Sequence, residues 1–453
     1  MSSEISPAPA QQSRSRVPIL ISWVLILGLA GLIVYGNLRS GESPSTQKLV
    51  NDERARMFGM VAVQMKSLQK EAAGTSSLVQ ERMGGLIKQM ESDALTAEDK
   101  IRIAILAGES FGAEDALMRL SNIPITTIGR EAAADIRSIQ VIYGDRAAAL
   151  SSAAQNDLIQ RYGYLGRVAL AYGVPPDKEP RKTLQSEALW FTFKLTLVGI
   201  GLVILLGLSL AAFAIACAWF LKGKIRPAYI PKTASQGVFL EGFALYLVLF
   251  VALGLLIRYV GPLSLQWTWA ALVILPIVWI WTGLRGATSE ERRQAFGWHR
   301  GRGFLREIGA GLGGYIAGLV VIALGCLVTV ILIRISGTRA TSPIVHELNG
   351  GPLRLVGLYA LSCVFAPFME ETMFRGLLFH HLRRRWSWAV SAVLVSAIFA
   401  LLHPQGWVAV PALGAIAMVL AALREWRGSL VAPMAAHAFS NFLVLTLALL
   451  FLK

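Results

Sequence analysis

Long apolar runs constrain this chain more than any other feature. A helix rises about 1.5 Å per residue, so about 20 apolar residues cross the hydrocarbon core of a bilayer. Runs near or beyond that length cover residues 17–38, 189–221, 237–260, 267–284, 309–335, 353–379, 388–402, 408–423 and 430–452, the run from Val408 being the weakest. At that depth no water satisfies a bare backbone N–H or C=O, so the runs must be helices. Composition agrees: 55% of residues are hydrophobic and only 16% charged, which excludes the ordinary soluble classes. The expected fold is all-α. It comprises a polytopic transmembrane helical bundle of about eight helices over 189–452, an N-terminal anchor helix over 17–38 and an inserted helical domain over 39–188.

The formal net charge of +15 raises a nucleic-acid reading that its distribution removes. Residues 39–188 hold 19 basic and 19 acidic residues, so the excess belongs to the membrane part. There it gathers in four short turns. Lys222, Lys224, Arg226 and Lys232 form the first, and the run of arginines from Arg285 through Arg292, Arg293, Arg300 and Arg302 to Arg306 forms the second. Arg383 to Arg385, and Arg424 with Arg427, form the others. Short basic loops mark the cytoplasmic face. All four alternate correctly with the runs if the tail 1–16, ending in Arg14 and Arg16, is cytoplasmic. Residues 39–188 and the C-terminus then lie outside the cytoplasm, and the first run serves as a signal anchor. The partners expected are the lipid bilayer and a peptide or membrane-protein substrate, with no nucleic acid.

In the inserted stretch only Pro124 interrupts the interval between Pro44 and Pro175, which favours helices. Leu158, Tyr162, Leu165 and Tyr172 share one face of a 3.6-residue period. No 34-residue repeat aligns. Pro175, Pro176 and Pro180 mark a linker back into the membrane. Cys217, Cys326 and Cys363 all fall in apolar runs without CxxC spacing, so they read as small core residues.

From residue 189 onward the chain has no Asp and eight Glu, of which Glu241, Glu370 and Glu371 lie in or at apolar segments. All six histidines, His299, His346, His380, His381, His403 and His437, also fall there. Ionisable groups within a span cost at least a few kcal/mol and mark functional sites. Glu370 and Glu371, adjacent on a helix, point about 100° apart and can take different tasks. Arg375 stands four residues after Glu371, the spacing at which carboxylate and guanidinium meet. That leaves Glu370 as the freer carboxylate, one able to take a proton from water. His437 and Asn441 share a helix face by the same four-residue spacing. Counted from the basic turns, Glu370, His403, His437 and Asn441 can share one layer of the bilayer. Glu241 reads as snorkelling to the inner interface, and His380 and His381 as structural.

Glu370-Glu371-Thr-Met-Phe-Arg375 fits EExxxR, Phe399 to His403 fits FxxxH and His437 to Asn441 fits HxxxN. In this order on successive helices the three motifs resemble those of the CAAX protease and bacteriocin-processing enzyme family, which includes type II CAAX prenyl endopeptidases. The arginines from Arg292 to Arg306 resemble its juxtamembrane segment. The resemblance covers about residues 189–452 and leaves 39–188 unassigned. It implies an intramembrane endopeptidase in which Glu370 and His403 activate water while His437 and Asn441 stabilise the oxyanion. Substrates could be prenylated peptides, bacteriocin precursors or other membrane proteins. The family is often classed as metalloendopeptidases, so a zinc ion held by Glu370, His403 and His437 stays open. Without HExxH, a metal-free glutamate mechanism is the preferred reading. Two other readings compete: a catalytically silent scaffold or immunity-type protein, and a proton-coupled transporter, against which no second half repeats the polar motifs.

Overall fold

The computed structural model describes residues 17–39, 44–71, 76–94, 96–124, 128–145, 150–231, 237–260, 272–338, 347–348 and 350–452. The tail 1–16 with Arg14 and Arg16, Lys232, His346 and the start of the run at 267–284 lie outside the described residues. Every described element is a helix, and the chain divides into two compact units, Glu42–Val203 and the pair Met1–Gly41 with Ile204–Lys453.

The helical unit contains α2 (Pro44–Glu71), α3 (Ser76–Asp93), α4 (Ala97–Phe111), α5 (Ala113–Ser121), α6 (Arg130–Asp145), α7 (Ser152–Tyr162), α8 (Tyr164–Leu170) and the first part of α9 (Arg181–Leu221). Its centre is α4, buried from Ile101 to Glu109 and started by a capping box in which Thr96 and Asp99 bond each other's backbone N–H. Two orphan amides are satisfied that way. Arg181 forks onto Glu109, and both are buried. The apolar stripe through Leu158, Tyr162 and Leu165 is buried, but two helices carry it where the sequence suggests one. Gly163 breaks the period at φ 54°, and Gly166 then approaches so closely that a Cβ there would lie 2.3 Å from Leu158 O. Composition turns apolar at residue 189, yet α9 starts at Arg181 and runs for 41 residues. At about 60 Å it is roughly twice the hydrocarbon thickness, so part of it serves the polar unit.

The membrane unit holds α1 (Val17–Arg39), the rest of α9, α10 (Val238–Val260), α11 (Ile274–Leu284), α12 (Ser289–Ala295) and α13 (Phe304–Ser336). It continues with α14 (Pro352–Arg383), α15 (Trp388–Leu402), α16 (Val410–Arg427) and α17 (Val431–Leu452). Among the described residues seven helices are long and apolar enough to span a membrane, and the shorter α11 and α15 account for the other two runs. The weak run at Val408 belongs to a span of 21 residues, Trp407–Arg427. Helix α13 packs on α16 and α17, α15 on α16, and α1 on α10 and α15. The N-terminal helix is therefore part of the bundle and more than a tether.

Small residues on α13 set its distance from its neighbours, as expected where no hydrophobic effect drives helices together in lipid. A Cβ on Gly311 would lie 2.3 Å from Ala432 O, and one on Gly325 2.6 Å from Pro411 O, whereas at Gly313 it would meet nothing within 4 Å. Gly311→Ala should therefore cost about 1–3 kcal/mol by overpacking α13 against α17. Gly313→Ala should be neutral or slightly favourable. Thermal melting of the two purified variants checks the pair; equal Tm values would sink this account of the packing.

Glu307 and Glu425 correct the reading that only three glutamates lie in apolar surroundings. Arg427 forks onto Glu307 at 2.8 and 2.7 Å, and the backbone N–H of Arg302 donates to the same carboxylate at 2.9 Å. Arg383 forks onto Glu425 at 2.8 Å through both arms. Both carboxylates are buried. Their places in the first turn of α13 and the last turn of α16 made them look like loop residues in the sequence. The paired arginines of the basic turns thus also lock helices, each pair bidentate as buried pairs need to be. Glu241 pairs with Arg285 at 2.7 Å. His380 is buried against Tyr229, whose hydroxyl meets its Nδ1, and His381 lies edge-on to Trp23.

Candidate active site

Helix α14 is not a uniform α-helix. Two π-helical segments, Leu361–Phe365 and Thr372–Leu378, flank the α-helical turn Ala366–Glu371. Pro367 supplies a local reason for the first, since it offers no N–H and its ring crowds the carbonyl four residues back, which a widened turn relieves. Such bulges re-aim side chains and recur at functional sites.

Glu371 and Arg375 are both completely buried and meet at 2.9 Å. The second guanidinium arm donates to Ala417 O at 3.0 Å, and the plane lies 4.6 Å from the centre of the Phe399 ring. Glu371 Oε1 also takes His437 Nδ1 at 2.9 Å. One carboxylate therefore ties α14 to α17 while its arginine ties it to α16. With Nδ1 committed as a donor to Glu371, the other nitrogen of His437 points toward Glu370.

Glu370 lines a cavity of about 810 Å³ with walls from α1, α10, α14 and the turn after α15. Its Oε2 lies 3.9 Å from His403 Nε2 and 3.8 Å from His437 Nε2, and it is buried with no hydrogen-bond partner. These separations are too long for direct hydrogen bonds. His403 caps the C-terminus of α15 with an extended backbone, φ −80° and ψ 142°. Its Nδ1 donates to Phe399 O at 2.6 Å, which in the neutral ring leaves Nε2, on the side of Glu370, as the acceptor nitrogen. Asn37 Nδ2 donates to His403 O at 3.1 Å.

Asn441 turns its amide to the backbone, donating to Ser362 O at 2.8 Å in the first π segment. The structure thus brings Glu370, His403 and His437 together, holds Glu371 and Arg375 behind them, and engages Asn441 with the backbone. Phe399 has a part the motif alone does not suggest. Its ring contacts the Arg375 guanidinium, the His403 ring at 4.2 Å and the His437 ring at 6.1 Å, so one aromatic side chain spaces the whole group.

Zinc ligated at about 2.0–2.2 Å in a tetrahedron requires donors converging within about 3.5 Å of one another. Glu370 Oε2 is farther than that from both imidazole nitrogens, and among the described residues no group of three or more His, Cys, Asp or Glu could hold a metal ion. The three candidate ligands Glu370, His403 and His437 do not fit a zinc ion in this arrangement.

Fold and site define a multi-pass helical membrane protein with a cavity-lining carboxylate set between two histidines. Residues 352–443 match the family model described as type II CAAX prenyl endopeptidase Rce1-like. That segment contains all three motifs and all six candidate residues. No curated protein and no solved structure matches the chain significantly.

Proposed function

We propose that the protein is an intramembrane endopeptidase in which Glu370 and His403 activate a water for attack on a peptide bond. The observation that carries this reading is the placement of two hydrogen-bond acceptors, Glu370 Oε2 and His403 Nε2, 3.9 Å apart at the edge of a large apolar cavity. One water about 2.8 Å from each would donate a proton to both and turn its lone pair away from them, toward a substrate carbonyl. Glu370 takes the water's proton as the C–O bond forms. It then gives that proton to the amide nitrogen as the C–N bond breaks, leaving a carboxylic acid and an amine. His437, with Nδ1 donating to Glu371, stabilises the oxyanion through Nε2 when its ring carries both protons, and Glu371 offsets that positive charge. Asn441 joins by exchanging Ser362 O for the oxyanion. No step runs through a metal. The apolar walls suit a membrane-associated segment of a peptide or protein.

The runner-up is a catalytically silent scaffold using the same pocket for binding. N-terminal proteomics of cells carrying intact protein against Glu370→Ala separates the two. New N-termini that vanish in the variant are expected, and identical sets of termini would favour the scaffold.

The topology proposed with this function has the N-terminus in the cytoplasm and the helical unit outside it, following the basic turns. Ser151, an exposed N-cap residue, is the reporter. A maleimide that does not cross membranes should label Ser151→Cys in intact cells lacking other accessible thiols. Labelling only after permeabilisation would reverse the orientation.

A further inference from the structure

The segment matching the endopeptidase family starts at residue 352, yet one wall of the cavity comes from the other end of the chain. Leu32, Ile33, Tyr35, Gly36 and Asn37 of α1 line the same space as Glu370 and His403. The contact is specific. Asn37 Nδ2 donates to His403 O at 3.1 Å across a sequence separation of 366 residues.

His403 ends α15, and its extended backbone turns its carbonyl out of the helical hydrogen-bond ladder. A carbonyl without a partner in a membrane interior costs several kcal/mol, and so does a lone amide on an apolar helix. Asn37 and His403 O satisfy each other. Two bonds then fix this residue from opposite sides: Phe399 O holds the ring through Nδ1, and Asn37 holds the backbone. The ring nitrogen left over faces Glu370 Oε2. Because His403 begins the turn into α16, freeing its carbonyl lets the turn shift and carries Nε2 away from the carboxylate. An apolar residue at position 37 would pack α1 against α15 equally well without doing this.

We infer that Asn37 is a positioning residue of the active site, acting on His403 through its backbone carbonyl, and that α1 is a working wall of the substrate cavity rather than a separable anchor. The inference rests on the proposed peptidase chemistry for its kinetic consequence but not for its structural one.

The test uses the full-length protein in lipid nanodiscs, with Asn37→Leu to remove the donor at nearly constant size, Asn37→Gln to retain an amide, and Gly28→Ala as a control on an open face of α1. In the first arm, diethyl pyrocarbonate modifies histidines and peptide mass mapping follows the rate at His403, a readout that needs no catalysis. Asn37→Leu should change that rate at least about threefold and Asn37→Gln should restore it, with Gly28→Ala unchanged. In the second arm, peptide cleavage by Asn37→Leu should show a kcat lower by about 10- to 100-fold, as expected for displacing a catalytic group by about 1 Å. KM should stay near that of the unaltered protein, Tm should fall because His403 O loses its donor, and the pH–rate profile should move. A His403 modification rate indifferent to Asn37→Leu overturns the inference, as does a kcat loss that only follows loss of Tm with an unmoved pH profile. If the unaltered protein cleaves no peptide but the modification rate responds, the peptidase reading fails while the contact between α1 and His403 stands.

Discussion

Glu370→Gln is expected to lower kcat for peptide-bond cleavage by about two to four orders of magnitude, the usual contribution of a positioned general base. The substitution is close to isosteric, and Glu370 Oε2 accepts no hydrogen bond from the protein, so the amide forfeits no existing hydrogen bond. Removing a carboxylate from a low-dielectric site also removes its desolvation cost, and Tm should hold or rise slightly. KM should change little, because the carboxylate acts on water and not on the substrate's apolar flanks. His403→Ala should give a loss of similar size. The double variant should be little worse than either single one, since two residues acting on one water lose their joint effect when either is removed. Purified protein in nanodiscs with a fluorogenic peptide provides the measurement. Undiminished turnover by Glu370→Gln would remove the mechanism, and strictly multiplicative losses would mean that Glu370 and His403 act on separate steps.

How much of this was legible in the sequence depends on the range of the interaction. The Glu371–Arg375 pair follows from a four-residue spacing, and the nine apolar helices among the described residues follow from run length, since both are set within one helix. Partners between helices were not legible. His437 and Asn441 share a face of α17, but nothing in HxxxN says that one bonds Glu371 and the other Ser362 O. The π segments of α14 escape because the same residues build α and π turns, with Pro367 the single local hint. Asn37 escapes for a different reason: one amide near the end of an apolar run looks like the interface residue of an anchor. Glu307 and Glu425 escape because they sit where a helix meets a basic turn, and hydropathy assigns such positions to the loop. In the helical unit the scarcity of proline announced helices. The break at Gly163 depends on a close approach of α8 to α7 that no periodicity records.

Arg375→Met should unfold or destabilise the membrane unit rather than merely silence it. Arg375 is completely buried, and three contacts hold it: Glu371 at 2.9 Å, Ala417 O at 3.0 Å and the Phe399 ring at 4.6 Å. Methionine nearly fills the volume but offers no charge, so Glu371 would keep only His437 as a partner. Breaking a buried pair from one side costs about 3–5 kcal/mol, against total stabilities of about 5–15 kcal/mol for a typical domain. A clear loss of folded yield and a lowered Tm by fluorescence-detected gel filtration are therefore expected, together with loss of cleavage. Arg375→Lys should fall between, since an ammonium keeps the charge but cannot serve Glu371 and Ala417 O with a planar fork. The double variant Glu371→Gln with Arg375→Met removes both charges and should recover most of the yield, because neutralising a buried pair together costs far less than orphaning one member. It should not recover activity, as His437 would then face an amide that cannot balance an imidazolium. A stable but inactive Arg375→Met protein would move the arginine from the frame of the site into its chemistry, and failure of the double variant to regain yield would show that the Phe399 and Ala417 contacts, not the charge pair, hold α14 in place.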